Sequence, residues 1–232
     1  DVTAPTGTMT VNSGATATSS TSVTLQLTAG DATSGVDKVR FSVDGGTTWT
    51  ALESFASSKS LTLSTGDGTK QIRYQVVDKA GNTATFSSSI LLDTVAPGGS
   101  VVINGGSTAT ASRSVTLTLT GSDTGSGLDQ MRFSVDNGTT WSTWQAYATS
   151  AAVTLADVDG SSKVLYQIRD KAGLSSSFSD TIVLDRALPV GTVQINSNAA
   201  YTNSTAVTLG LNVTDALSGL SDMRFSVNGT TW

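Results

Sequence analysis

Apolar and polar residues alternate along this chain in short stretches. Val23, Leu25 and Leu27 are interleaved with Thr24, Gln26 and Thr28, and the same beat recurs in Val39, Phe41, Val43 and in Ile72, Tyr74, Val76. A period of two is that of a strand with one face buried, so these sets are expected to point inward. The pattern predicts strands near Thr8 to Val11, Val23 to Thr28, Lys38 to Val43, Thr48 to Leu52, Ser60 to Leu63, Gln71 to Val77 and Phe86 to Leu92. Gly, Asp and Ser clusters separate them, which is the chemistry of turns. Seven short strands over so few residues predict a two-sheet antiparallel β-sandwich.

The pattern repeats. Asp1, Asp93 and Asp185 are 92 residues apart, as are Val23, Val115 and Val207, and Arg40, Arg132 and Arg224. The predicted organisation is therefore a first sandwich over 1–92, a second over 93–184, and the N-terminal half of a third over 185–232. In the second copy Val115, Leu117, Leu119, Met131, Phe133, Val135, Leu165, Gln167 and Ile182 are placed near the equivalent inward positions. The half copy leaves Val207, Leu209, Leu211, Phe225 and Val227 without a facing sheet, so either the parent protein continues past Trp232 or another chain completes the fold. Continuation is the expectation, because completion in trans is the rarer solution. All three prolines, Pro5, Pro97 and Pro189, fall at the starts of copies. Lacking an N–H and fixed in φ, they mark short stiff junctions and predict sandwiches set end to end.

Composition narrows the chemistry. The 232 residues include no His and no Cys, which removes histidine general bases, Ser-His-Asp and Cys-His nucleophiles, thiolate zinc sites and disulfides. Ser and Thr fill 72 positions, and Glu53 is the sole glutamate, so strand and turn formers dominate helix formers. With 38% hydrophobic residues the Ser/Thr content reads as polar strand faces and not as disorder. A net charge of −5, with 13 basic residues spread singly, argues against nucleic acid, and no apolar run is long enough to span a bilayer. The chain is read as non-enzymatic.

Three kinds of motif stand out. Ser42, Asp44, Gly46 and Trp49 recur as Ser134, Asp136, Gly138 and Trp141, a spacing suited to a structural hairpin: the Asp forms an Asx-turn, the Gly takes positive φ, and the Trp is placed as a cap on the sandwich core. Recurrent aspartates form the second kind: Asp31, Asp123 and Asp215 precede Ser-Gly turns, Asp78 and Asp170 open Asp-Lys-Ala-Gly loops, and Asp1, Asp93 and Asp185 sit at junctions. They support two readings, local turn capping or a structural calcium site, for which Asp31, Asp78, Asp93, Asp123, Asp170, Asp185 and Asp215 are the candidate ligands. No cofactor is required by the sequence. Third, Trp144 and Tyr147 near Trp141 form an aromatic strip of the kind that stacks on sugars, matched by Leu52 and Phe55 in the first copy. Glycosylation sequons begin at Asn137, Asn203, Asn212 and Asn228.

The Ser-x-Asp-x-Gly-x-Thr-Trp strings resemble the Asp-box of sialidases and related propellers, where the box is a structural hairpin away from the catalytic site. A propeller blade is much shorter than this period, and Glu53 has no counterpart in the second copy, so the activity of that family is not implied. The joint order of the junction, the Asp-x-x-Ser-Gly turn, the hairpin, the Asp-Lys-Ala-Gly loop and the closing Ile-x-Leu-Asp strand resembles the tandem Ig-like repeats of large bacterial cell-surface and adhesin-type proteins. That resemblance implies an extracellular spacer or stalk, sometimes stiffened by calcium, whose partners are the neighbouring repeats of its own chain and in some cases other copies or surface glycans and proteins. A carbohydrate-binding accessory array of a secreted hydrolase, and a self-assembling subunit of a surface filament or layer, are the alternatives.

Overall fold

The computed structural model describes residues 1–232. The first copy contains β1 (Thr6–Val11), β2 (Ala17–Thr18), β3 (Ser22–Gly30), β4 (Val36–Ser42), β5 (Ser58–Thr62), β6 (Gly68–Asp78) and β7 (Thr83–Leu92). The second contains β8 (Gly98–Ile103), β9 (Ala109–Thr110), β10 (Ser114–Ser122), β11 (Leu128–Ser134), β12 (Gln145–Ala146), β13 (Ser150–Thr154), β14 (Gly160–Asp170) and β15 (Ser175–Leu184). Two strands follow, β16 (Val190–Ile195) and β17 (Leu209–Thr214). The protein is all-β, and no helix is long and apolar enough to cross a membrane.

In the first copy β1-β3-β5 form one sheet and β2-β7-β6-β4 the other; in the second, β8-β10-β13 face β12-β11-β14-β15-β9. The sheets are antiparallel except where β2 runs parallel to β7 and β9 parallel to β15. Alternation fixes which faces meet. Val23, Leu25 and Leu27 on β3 pack against Val39, Phe41, Ile72, Tyr74 and Val76 of the opposite sheet. The second core repeats this with Val115, Leu117, Leu119, Met131, Phe133, Val164, Tyr166 and Ile168. Buried Tyr74 crosses the first core to donate its hydroxyl to Thr28 O at 3.3 Å, and Tyr166 does the same to Thr120 O. Each tyrosine is stacked on one phenylalanine and tilted against another: Phe41 and Phe86 in the first copy, Phe133 and Phe178 in the second.

Several expectations need correction. Leu165 and Gln167 lie on the outer face of β14, and Val164, Tyr166 and Ile168 are the buried set. The reason is the strict period of two: a reading displaced by one residue moves every side chain to the other face. Thr48 to Leu52 is not a strand. The Thr50 hydroxyl takes the Phe41 N–H at 3.0 Å in place of a backbone carbonyl, and ladder pairing shrinks to one bridge between Val39 and Glu53. Val43 and Val135 are only half-buried because the chain turns into the hairpin immediately after Ser42 and Ser134.

Two period-92 devices lie outside the alternation signal. Asn12, Asn104 and Asn196 hold φ between 43° and 46°, and each side-chain oxygen accepts the backbone N–H of the residue twelve further on: Thr24, Thr116 or Thr208. Asn tolerates this left-handed conformation better than most residues. Gly7 and Gly99 form the second device. A Cβ on Gly99 would come within 2.6 Å of Thr120 O and 3.2 Å of the Phe178 ring, and a Cβ on Gly7 within 2.7 Å of Thr28 O and 2.9 Å of Phe86. The missing side chain is what lets each phenylalanine lie over the first strand of the opposite sheet.

β16 pairs β17 in the register of β8 with β10, Ile195 opposite Leu209 as Ile103 is opposite Leu117. No second sheet covers this pair, so Val193 and Ile195 are 61% and 54% exposed, whereas Val101 and Ile103 are buried.

Candidate functional site

The recurrent aspartates sit where strands end. Asp93 follows β7 directly: its N–H donates to Thr18 O at 3.0 Å, and its carboxylate turns toward the next copy, with Oδ2 accepting the Ser126 N–H at 2.6 Å. Asp123 follows β10 and accepts the N–H of Gly127, which holds a φ of 79°. Asp170 closes β14, and its Oδ1 accepts the Leu174 N–H at 2.9 Å. Three loops thereby bring Asp93, Asp123 and Asp170 together, with ligand oxygens within 4.8 Å of one another. Gly125 makes the approach feasible, because any Cβ there would lie 2.4 Å from the Asp93 carboxylate carbon.

Asp1, Asp31 and Asp78 form the equivalent trio in the first copy, again with oxygens within 4.8 Å. Asp31 Oδ1 gathers the N–H groups of Thr33, Ser34 and Gly35. The Gly35 bond is the largest of the effects that hold its carboxyl below the usual range. In the chain after Leu184, the Asp185 carboxylate accepts the Ser218 N–H at 2.9 Å and Asp215 the Gly219 N–H at 2.8 Å, and no third carboxylate joins them. Of the seven candidate ligands, five thus fall in two three-carboxylate groups, one of which Asp1 completes.

Electrostatics separates the two trios. Burial pushes the Asp78 carboxyl up, but side-chain and backbone bonds from Asn82, together with the backbone N–H groups of Ala80 and Gly81, outweigh it and the net shift is down. Asp170 is shifted up, first by burial, with the charges of Asp93 and Asp123 adding to it. Asp170 Oδ2 is buried and meets no donor from the chain. Lys79 and Lys171, which follow Asp78 and Asp170, form no ion pair with these groups. A cluster of hard carboxylate oxygens around an unsatisfied one has the donor chemistry of a calcium site.

The hairpin that follows β4, at the other end of that strand from Asp31 and Asp78, is held by its own side chains. Ser42 donates its hydroxyl to Asp44 at 2.7 Å and accepts the Gly46 N–H, while Asp44 accepts both the N–H and the hydroxyl of Thr48. Ser134, Asp136, Gly138 and Thr140 repeat the set. Gly46 and Gly138 have φ of 97° and 87°, a conformation other residues rarely adopt. The Thr140 hydroxyl, ahead of its N–H and of Ser134, brings the Asp136 pKa down to about 2, and the same bonds hold Asp44 lower still. Trp49 does not cap the core. Its indole N–H donates to Gly46 O, and its ring lies 4.9 Å from the Arg40 guanidinium, on the outer face of β4 opposite the buried Val39 and Phe41. Arg40 alternates with those inward residues, so the ring that covers it must be outside as well.

The second copy extends this outer face. The Arg132 guanidinium lies 4.7 Å from the Trp141 ring and 4.4 Å from Trp144, and Arg169 lies 4.6 Å from Trp144. Trp144 is thus engaged by two cations. Tyr147 is half-buried against the core, its ring over Gly121, where a Cβ would come within 2.9 Å of it.

No protein-family model and no curated protein matches the chain in sequence. Solved structures do match in shape. The fibronectin(III)-like modules of Clostridium thermocellum CbhA share 16% identity over 76% of this chain and 94% of theirs, with a TM-score of 0.51. A solved segment of a 1.5-MDa bacterial ice-binding adhesin, described for host cell surface retention, shares 16% identity over 84% of this chain and 70% of the solved chain, with a TM-score of 0.44. Carbohydrate-binding modules of the β-sandwich superfamily share 14% over 80% and 98%, with a TM-score of 0.36. The fold is that of Ig-like, fibronectin-III-like antiparallel β-sandwiches repeated in tandem.

Proposed function

We propose that this chain is a non-catalytic extracellular structural module, a rod-like spacer or stalk segment of a larger bacterial surface or appendage protein. The junction between copies carries the reading. Asp93 bonds backward through its N–H to Thr18 and forward through its carboxylate to Ser126, and Thr94 adds bonds to Asp67. Asp185 repeats the pair with Thr110 and Ser218, and Arg186 ion-pairs with Asp157 and Asp159. A linker tied to both neighbours within a few residues resists bending, and resistance to bending is what a spacer needs. Structural calcium fits the same reading: held by Asp93, Asp123 and Asp170, it would tie the last strand of one copy to two loops of the next. A sugar-stacking role for Trp144 has less support, because two guanidinium groups already engage its ring.

Small-angle X-ray scattering tests the rod. A compact chain of this length has a radius of gyration of about 17 Å. An eleven-residue strand such as β6 spans about 36 Å, so copies set in line give about 25 Å or more. A value near the compact figure would overturn the spacer reading.

A further inference from the structure

The loops that close β6 and β14 differ at one informative position. In the first copy Asn82 donates its backbone N–H to Asp78 Oδ1 at 2.8 Å and its side-chain amide to Asp78 Oδ2 at 2.9 Å, and the same amide nitrogen lies 3.3 Å from Asp1 O. Both oxygens of this 1%-exposed carboxylate therefore have donors. In the second copy Leu174 supplies the backbone N–H to Asp170 Oδ1 but has no amide to offer, and Asp170 Oδ2 is left buried without a partner. Asp170 is equally inaccessible, and two further carboxylates crowd it.

A buried carboxylate oxygen without a donor is unfavourable, and more so beside like charges. An amide and a divalent cation answer the same need by different means. The amide satisfies one oxygen and, while bound, occupies a direction from which a cation would be coordinated. Without it the oxygens are free to ligate, and the apo state is the one that suffers.

Given the calcium reading above, we infer that residue 82 and its counterpart 174 set how far each copy depends on a divalent cation: the Asn82 amide substitutes for part of what the cation does, and Leu174 makes Asp93, Asp123 and Asp170 the tighter site. The first copy is then stable with its site vacant, and the second is the calcium-dependent one.

Isothermal titration of the full chain with calcium, after chelator treatment, tests this alongside thermal unfolding with and without the ion. The wild type is expected to show one tight site, lost in Asp170→Asn. Leu174→Asn is expected to weaken that site about tenfold or more while raising the calcium-free unfolding temperature of the second copy, a pair of opposite changes that simple loss of packing would not produce. Asn82→Leu is expected to tighten calcium binding at the first site and to lower calcium-free stability. If Leu174→Asn binds calcium within about twofold of the wild type, the role of residue 174 is overturned while the calcium site itself stands. Weaker binding in Asn82→Leu would overturn it too, by showing the Asn82 carbonyl to be a ligand. A wild type with neither saturable binding nor a calcium-dependent shift would overturn the calcium reading and this inference together.

Discussion

At the scale of single residues, the hairpin aspartates show how local donors set a charge. Asp136 is bound by the Thr140 hydroxyl and N–H and by Ser134, contacts that only the folded turn supplies. Its pKa falls from 3.8 to about 2, so the folded chain binds that proton more weakly than the unfolded one. A depressed pKa contributes stability that is complete above about pH 4 and is lost as the pH falls toward about 2. Asp136→Asn is expected to lower stability at neutral pH and to flatten the acid limb of the unfolding profile between about pH 4 and 2, as followed by circular dichroism. The hydrogen-bonding roles of Ser42, Asp44 and Gly46 were open to the sequence because an Asx-turn is local. The place of Trp49 was not: its ring follows Arg40, and the side of the sheet that Arg40 occupies depends on the register of β4.

At the scale of elements, alternation sufficed where one face is clearly polar. On β6 the residues between the buried Ile72, Tyr74 and Val76 are Arg73 and Gln75, and the inward set is unambiguous. On β14 Leu165 stands where β6 has Arg73, so both faces carry apolar residues and the alternation loses its phase. β2 and β9 are too short for any period to register. Gly99 was invisible for another reason, since nothing in a lone glycine announces that a phenylalanine from β15 will lie across it. Gly99→Ala is expected to destabilise the second copy by about 1–3 kcal/mol through overpacking against Thr120 O and Phe178, measured by urea unfolding. The seven candidate aspartates were legible as a recurring pattern that either caps turns or gathers around a calcium ion, but which of them meet was not. Sequence spacing gives no hint that three strand ends meet, or that Asn82 and Leu174 leave two similar carboxylates so differently satisfied.

At the scale of the whole molecule, the parallel pairings near the ends of each copy carry a mechanical consequence. The chain enters the second copy through β8 and β9 and leaves it through β15, and β9 and β15 lie side by side pointing the same way. Tension drawn along the polypeptide would pull β9 and β15 in opposite senses along their length. The bonds from Val183 N–H to Thr108 O and from Asp185 N–H to Thr110 O would then be loaded together in shear, instead of being unzipped one at a time. Single-molecule pulling of the full chain should give a lower rupture force for one of its unfolding events in Val183→Pro, which removes one of these two donors, and leave the event of the first copy unchanged. The two-residue strands β2 and β9, which contribute little to the area of the sheets, would then be the latches that decide how much tension the chain bears before a repeat gives way.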